Sequence, residues 1–391
     1  MLNLPLPDAD ALAQSARLLS LIEDEITAAG GWIPFYRYME LALYAPELGY
    51  YSGGARKFGE GGDFVTAPEL TPLFGQTLAV QVEQIMRASA PMLIEAGAGS
   101  GLLAADLLCE LERRGCLPER YGILELSSTL RARQRETLIA RAPRLAERVY
   151  WLDTLPETFS GAVLANEVLD AMPLHVVIWR DSLVFERGVT LAAGEADKSG
   201  RLLWADRPAR GAVLEAARRL PLPPGADEYV SEINLAGAAW VATWGTRLRC
   251  GALLLIDYGY PQAAFYLPSR SRGTLMCHYR HRAHDDPFLW PGLTDITGSV
   301  DFTAMADAGF NAGLDVLGYI GQGQFLLNCG VLDCLARREQ EGSAAYARAA
   351  GAVQKLTLPG EMGELFKVLA LGRGVDAPLS GFSQGDRTHA L

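Results

Sequence analysis

Three glycines at alternate positions, Gly97, Gly99 and Gly101, end the apolar run MLIEAGAGSG, with an acid, Glu95, two residues before the first of them. A glycine-rich turn that follows a strand and opens a helix lets the main chain approach a nucleotide-like ligand closely. Gly97 allows the tight turn, Gly99 removes bulk beside the ligand and Gly101 permits close packing. No Gly-Lys-Ser/Thr follows, which excludes a P-loop, and the spacing is G-x-G-x-G, not the G-x-G-x-x-G of dinucleotide sites. A carboxylate at Glu95 would repel a pyrophosphate and favour a cofactor with positive charge and no phosphate. S-adenosylmethionine, which carries a sulfonium and an ammonium group, has that chemistry. The bland alternative is a plain strand–helix turn.

Other polar residues end the next apolar runs. Glu125 in ILELS stands 24 residues after Gly101, about where an acid grips ribose hydroxyls in nucleotide folds. Trp151 and Asp153 in WLD either flank an adenine or are a core indole with a capping acid. ANEVLDAMP places Asn166, Glu167 and Asp170 just past a strand; if the segment is helical, Glu167 and Asp170 share a face. Two carboxylates facing a sulfonium suit a guanidinium acceptor, because carboxylates bind that planar fork in a bidentate way. We therefore expect Glu167, Asp170 and Asn166 to be catalytic, with Asn166 orienting the cofactor end or the acceptor; the bland alternative is that Asp170 caps a helix and Asn166 bonds main chain.

The elements that hold these residues alternate. MLIEAG, YGILEL, RVYWLD, GAVLAN and ALLLIDYG read as strands; LLAADLLCELERRG, TLRARQRETLIARA and EINLAGAAWVATWGTRLRCG read as helices. Such alternation predicts an α/β, Rossmann-like, mostly parallel sheet with its ligand at the carboxyl edge of the strands. Residues 1–90 read as a helical and lid region. Residues 91–173 and 229–391 read as the core, and 174–228 as a β-rich insertion of short strands between polar turns.

Composition bounds the rest. The 391 residues carry 46 Asp and Glu against 35 Lys and Arg, a formal charge of -11, which disfavours nucleic acid as a partner. The six cysteines are scattered without a CxxC pair, and no apolar run is long enough to span a bilayer. The amino terminus lacks a basic leader, so a cytoplasmic protein with no membrane insertion is expected.

Taken in order, GYYSGG, GDFVTAPELTPLFG, EAGAGSG, NEVLDAMP, LIDYGY, YRHRAHDDP and DITGSVDFTAMA resemble the MidA family, from about residue 32 to about residue 330. These are class I S-adenosyl-L-methionine-dependent methyltransferases that include the mitochondrial complex I assembly factor. Leu126-Ser127 after Glu125 departs from the pattern, where a proline is expected. The resemblance implies methylation of an arginine on a protein substrate, with complex I assembly as the eukaryotic role. GDFVTAPE is expected to fold over the cofactor, with Asp63, Thr66 and Glu69 as polar contacts, and Asp257 and Tyr258 to face the substrate side. His278, His281 and His284 invite a metal reading, but the segment looks extended and methyl transfer to arginine needs no metal, so none is expected. Two rival functions are an assembly chaperone retaining a cofactor pocket and an NAD-dependent oxidoreductase.

Overall fold

The computed structural model describes residues 4–53, 66–192, 202–221 and 228–391. Helix α1 (Ala9–Ala28) is capped by Asp8, whose carboxylate accepts the Ala11 N–H at 2.9 Å, and it buries Leu18, Ile22 and Ile26 at helical spacing. Strand β1 (Ile33–Pro34) and helix α2 (Phe35–Tyr44) follow, then α3 (Ala67–Leu70) and α4 (Leu73–Ala88). Pro72 caps α4, and the Thr71 hydroxyl accepts from the Leu73 N–H.

Next come β2 (Met92–Ala96), α5 (Leu102–Arg113), β3 (Arg120–Leu124), α6 (Ser128–Arg141), β4 (Val149–Leu152) and β5 (Phe159–Asn166). The following segment changes character: β6 (His175–Arg180), β7 (Leu183–Leu191), β8 (Leu202–Pro208), α7 (Gly211–Arg219) and β9 (Glu228–Ile233). Asp181 and Ser182, at φ of 51° and 63°, make the two-residue turn between β6 and β7, a backbone that matches strand twist. Helix α8 (Leu235–Arg247) starts later than the sequence predicts. Glu232 and Ile233 pair with β6, and the Asn234 side chain accepts the Gly237 N–H at 2.7 Å.

The 13-residue β10 (Leu248–Tyr260) is followed by α9 (Gln262–Phe265), β11 (Met276–Tyr279), β12 (Arg282–His284), β13 (Asp295–Thr297) and β14 (Val300–Asp301). The carboxyl-terminal part adds α10 (Phe302–Asn311), β15 (Asp315–Gly321), α11 (Gln322–Asn328), α12 (Val331–Ala336), α13 (Ser343–Thr357), α14 (Met362–Leu365) and β16 (Phe366–Arg373). No helix among the described residues is long and apolar enough to cross a membrane.

The chain forms two compact units. One comprises Met1–Phe64, Asp170–Gly237 and Gln262–Ser299; the other comprises Val65–Leu169, Ala238–Pro261 and Val300–Leu391. Their limits are not the expected 90, 173 and 228. Helix α4 buries Leu73, Phe74, Leu78, Val82 and Ile85 in the core of the second unit, and β11 to β13 belong with the first.

The second unit is built on a sheet of order β15-β16-β10-β5-β2-β3-β4, with β14 beside β10. All neighbours from β10 to β4 are parallel, and β16 alone runs antiparallel to both β10 and β15. This is the expected α/β methyltransferase sheet. The chain proceeds from β2 through β3 to β4 on one side and returns with β5 on the other, so strand order reverses between β2 and β5. In open α/β sheets the ligand crevice opens beyond the carboxyl ends at such a switch point. The first unit holds an antiparallel sheet, β1-β7-β6-β9 with β8 on β7, and the three strands β12-β11-β13.

Candidate active site

At the switch point, Ala96 of β2 lies in register with Ala165 of β5, so Gly97 and Asn166 leave neighbouring strand ends. Gly97, Gly99 and Gly101 have φ of 64°, 51° and 83°, the left-handed region that side chains strain. The Gly97 N–H donates to the Leu124 carbonyl at 3.0 Å, tying the turn to the end of β3. A Cβ at Gly97 would lie 3.0 Å from Val168, and one at Gly101 would lie 3.0 Å from the Gln134 Cα. The Ser100 hydroxyl donates to the Glu69 carboxylate, so α3 also braces the turn.

Glu95 lies on β2, two residues before the turn. It is buried and accepts the Tyr121 hydroxyl at 2.6 Å. Burial is the largest influence on it and raises its pKa to about 7, with the Glu125 charge adding to the rise and the Tyr121 bond opposing it. Glu125, also buried, has its pKa raised by burial and held back by donors: the Ser127 N–H at 2.9 Å and the Gln134 amide at 3.1 Å. Asp153, expected beside an adenine, has a side chain 86% exposed and ion-paired with Arg131 at 2.8 Å. Arg131 also donates to the main-chain carbonyls of Glu125 and Leu152.

The NEVLDAMP segment is not helical. Glu167 has φ of 54°, and a residue in the left-handed region ends the strand without starting a helix. The shared helix face expected for Glu167 and Asp170 is therefore absent, and the two residues fall in different units. Two bonds fix the bend. The Glu167 N–H donates to the Ile256 carbonyl at 2.8 Å, and the Leu169 N–H to the Asp257 carboxylate at 3.0 Å. Asp257, buried at the end of β10, also accepts the Tyr258 N–H at 2.9 Å. Asn166 donates to the Glu167 carboxylate at 3.1 Å, while its Oδ1 is buried with no partner among the described residues. In the first unit, Asp170 is buried and its carbonyl accepts the Gly298 N–H at 3.1 Å.

Of the remaining expectations, Thr66 occupies the cap position of α3 without a side-chain capping bond, and Asp63 lies outside the described residues. The three histidines belong to a hairpin. His278 is on β11, His284 is on β12 opposite Cys277, and His281 is exposed at the turn with φ of 60°. His284 is buried, which lowers its pKa. Among the described residues no group of three His, Cys, Asp or Glu is placed to hold a metal ion. Sequence reasoning missed Gln134 and the bracing by Ser100. Gln134 stands in the polar run LRARQRET and carries no signal of burial there.

The residues at the switch point fit a cationic, phosphate-free adenosyl cofactor. Two carboxylates, Glu95 and Glu125, adjoin the glycine turn, and the orphaned Asn166 Oδ1 calls for a donor such as an ammonium or hydroxyl group. The turn's left-handed glycines leave its main chain open to close approach.

Known proteins carry the same pattern. The family model for S-adenosyl-L-methionine-dependent methyltransferases matches residues 73–320. The mitochondrial protein arginine methyltransferase NDUFAF7 homolog of Drosophila melanogaster is 28% identical, with 96% of this chain and 91% of that protein covered. The Mus musculus mitochondrial protein arginine methyltransferase NDUFAF7 is 30% identical, with 87% and 81% covered. Among solved structures, a Burkholderia thailandensis protein bound to S-adenosyl-homocysteine is 52% identical over the whole of both chains, with a TM-score of 0.94.

Proposed function

The chain belongs to the S-adenosyl-L-methionine-dependent methyltransferase family, within its MidA group, and on that premise we propose that it methylates an arginine side chain of a protein. The relatives' names support the arginine acceptor. The observation that carries the reading within this chain is Glu167, held by main-chain bonds in a left-handed bend next to the glycine turn, with Val168 against Gly97.

S-adenosyl-L-methionine supplies an electrophilic methyl carbon on its sulfonium. In the proposal the main chain at Gly97, Gly99 and Gly101 and the Asn166 Oδ1 hold the cofactor, and Glu125 takes its ribose hydroxyls. Glu95, whose pKa burial raises to about 7, adds negative potential next to the turn only as pH rises through that value. An arginine is a poor nucleophile, because its lone pairs are delocalised and it is protonated. The Glu167 carboxylate would hold the guanidinium, draw its positive charge toward the bound nitrogens and accept the proton released on alkylation. Alignment of the free nitrogen is then the main contribution to rate.

The test uses Glu167→Gln, which keeps shape and removes charge. Transfer of labelled methyl groups to proteins of a lysate lacking this protein should fall about a hundredfold or more. Calorimetric affinity for S-adenosyl-homocysteine should stay near wild type, and methylarginine mass spectrometry of the same lysate would read out the acceptor. A wild-type rate in Glu167→Gln removes it as the clamp. Cofactor binding with no transfer to any protein favours the assembly-factor reading.

A further inference from the structure

Gln134 is fully buried on α6, a helix whose neighbouring residues Arg131, Arg133 and Arg135 are polar and whose other buried residues are Leu130 and Leu138. A buried amide is costly unless its hydrogen bonds are met. Here the partners are specific. Its Nε2 donates to the Gly99 carbonyl and to Glu125 Oε2, both at 3.1 Å, and its Oε1 accepts the Trp151 indole N–H at 2.8 Å. Both amide hydrogens face acceptors and the amide oxygen faces a donor, so the reverse orientation would set N–H against N–H. The three partners belong to the loops or ends of three successive strands, β2, β3 and β4. Helix α6 holds the indole a second time, with the Arg135 guanidinium 4.4 Å from the Trp151 ring centroid. The Gln134 main chain also lies where a Cβ on Gly101 would fall.

We propose that Gln134 is a positioning residue for the cofactor's nucleoside, setting the glycine turn, the Glu125 carboxylate and the Trp151 ring against one another. This rests on the reading that Glu125 and Trp151 meet the ribose and the adenine. Ser127 and Gln134 each donate to one Glu125 oxygen, which fixes the carboxylate plane. What remains of Glu125 can only accept, so its ligand must donate, as the vicinal hydroxyls of a ribonucleoside do.

The experiment is calorimetric titration of the full chain with S-adenosyl-homocysteine, alongside tryptophan fluorescence without ligand, for Gln134→Glu, Gln134→Leu and Glu125→Gln. Gln134→Glu puts a second carboxylate against Glu125. Near pH 8 its affinity should fall about tenfold or more relative to wild type at that pH, the usual loss when a hydrogen-bonded charged site is broken. Near pH 5.5 the protonated side chain again donates on one side and accepts the indole on the other, so affinity should return to within about threefold of wild type. A packing role would show no such recovery. Gln134→Leu should lose affinity at both pH values and shift the indole emission; if it fails to fold, the pH series of Gln134→Glu decides alone. A Gln134→Glu affinity ratio that is the same at both pH values overturns the proposal, as does wild-type binding by a folded Gln134→Leu. Wild-type affinity in Glu125→Gln overturns the ribose reading instead, whereas weakened Glu125→Gln beside unaffected Gln134 variants removes Gln134 alone.

Discussion

Replacing Glu95 with Gln should stabilise the ligand-free protein, increasingly so as pH rises. Burial lifts the Glu95 carboxyl from its ordinary 4.5 to about 7, so the folded chain holds this proton more tightly than the unfolded chain does. For a raised acid the sign is fixed. Its contribution is complete below the unfolded value and is lost as pH climbs through the folded one. A tenfold difference in proton affinity is worth about 1.4 kcal/mol, so the whole contribution is about 3 kcal/mol. Roughly 1.4 kcal/mol of that is lost between pH 6 and pH 9. Glu95→Gln keeps an acceptor for the Tyr121 hydroxyl and has no proton to lose, and the other titrating groups are common to both proteins. Denaturant unfolding at pH 6, 7, 8 and 9 should therefore show the variant gaining on the wild type by about that amount across the window, most steeply between pH 6 and 7 and hardly at all above pH 8. A difference independent of pH would mean that Glu95 is ionised throughout, and the argument from burial would fail.

Gly101→Ala should unfold more easily by at least about 1–2 kcal/mol, the cost of a left-handed alanine, with the close Gln134 main chain adding to it; thermal unfolding and cofactor titration measure both effects. Asp257→Ala removes the carboxylate that accepts the Leu169 and Tyr258 N–H groups and should cost about 1–3 kcal/mol, with Asp257→Asn milder because its amide oxygen can still accept one bond. If the two Asp257 variants are equally stable, the carboxylate does not hold the bend.

The parallel half of the second unit was legible because its strands are buried on both faces and read as short apolar runs, as in LIEA and AVLA. The glycine spacing located the switch point. Residue type did not announce the bend at Glu167, since a left-handed glutamate has no compositional signature, and the helical expectation followed from spacing alone. Helix α7 was missed because its apolar face shows only Val213 and Ala217 buried within a stretch expected to be β-rich. Strands β15 and β16 close the sheet through long-range antiparallel pairing that no local pattern encodes. The partition into units was illegible for a related reason. It depends on which distant segments meet, as when Trp32 donates to the carbonyl of Ala205.

That partition bears on how the protein is made. The first unit is assembled from three separated stretches, and β1 pairs with β7, Ile33 opposite Val189. On a ribosome the amino-terminal helices emerge first, with Leu18, Ile22, Ile26, Phe35 and Tyr38 carrying apolar faces whose partners include Val176, Val189 and Ile296. The gap from Ile33 to its strand partner is about 150 residues, roughly 8–30 s of synthesis at 5–20 residues per second. During that interval the apolar faces of α1 and α2 lack their native partners, and the first unit cannot close until β2 to β5 of the second have been synthesised.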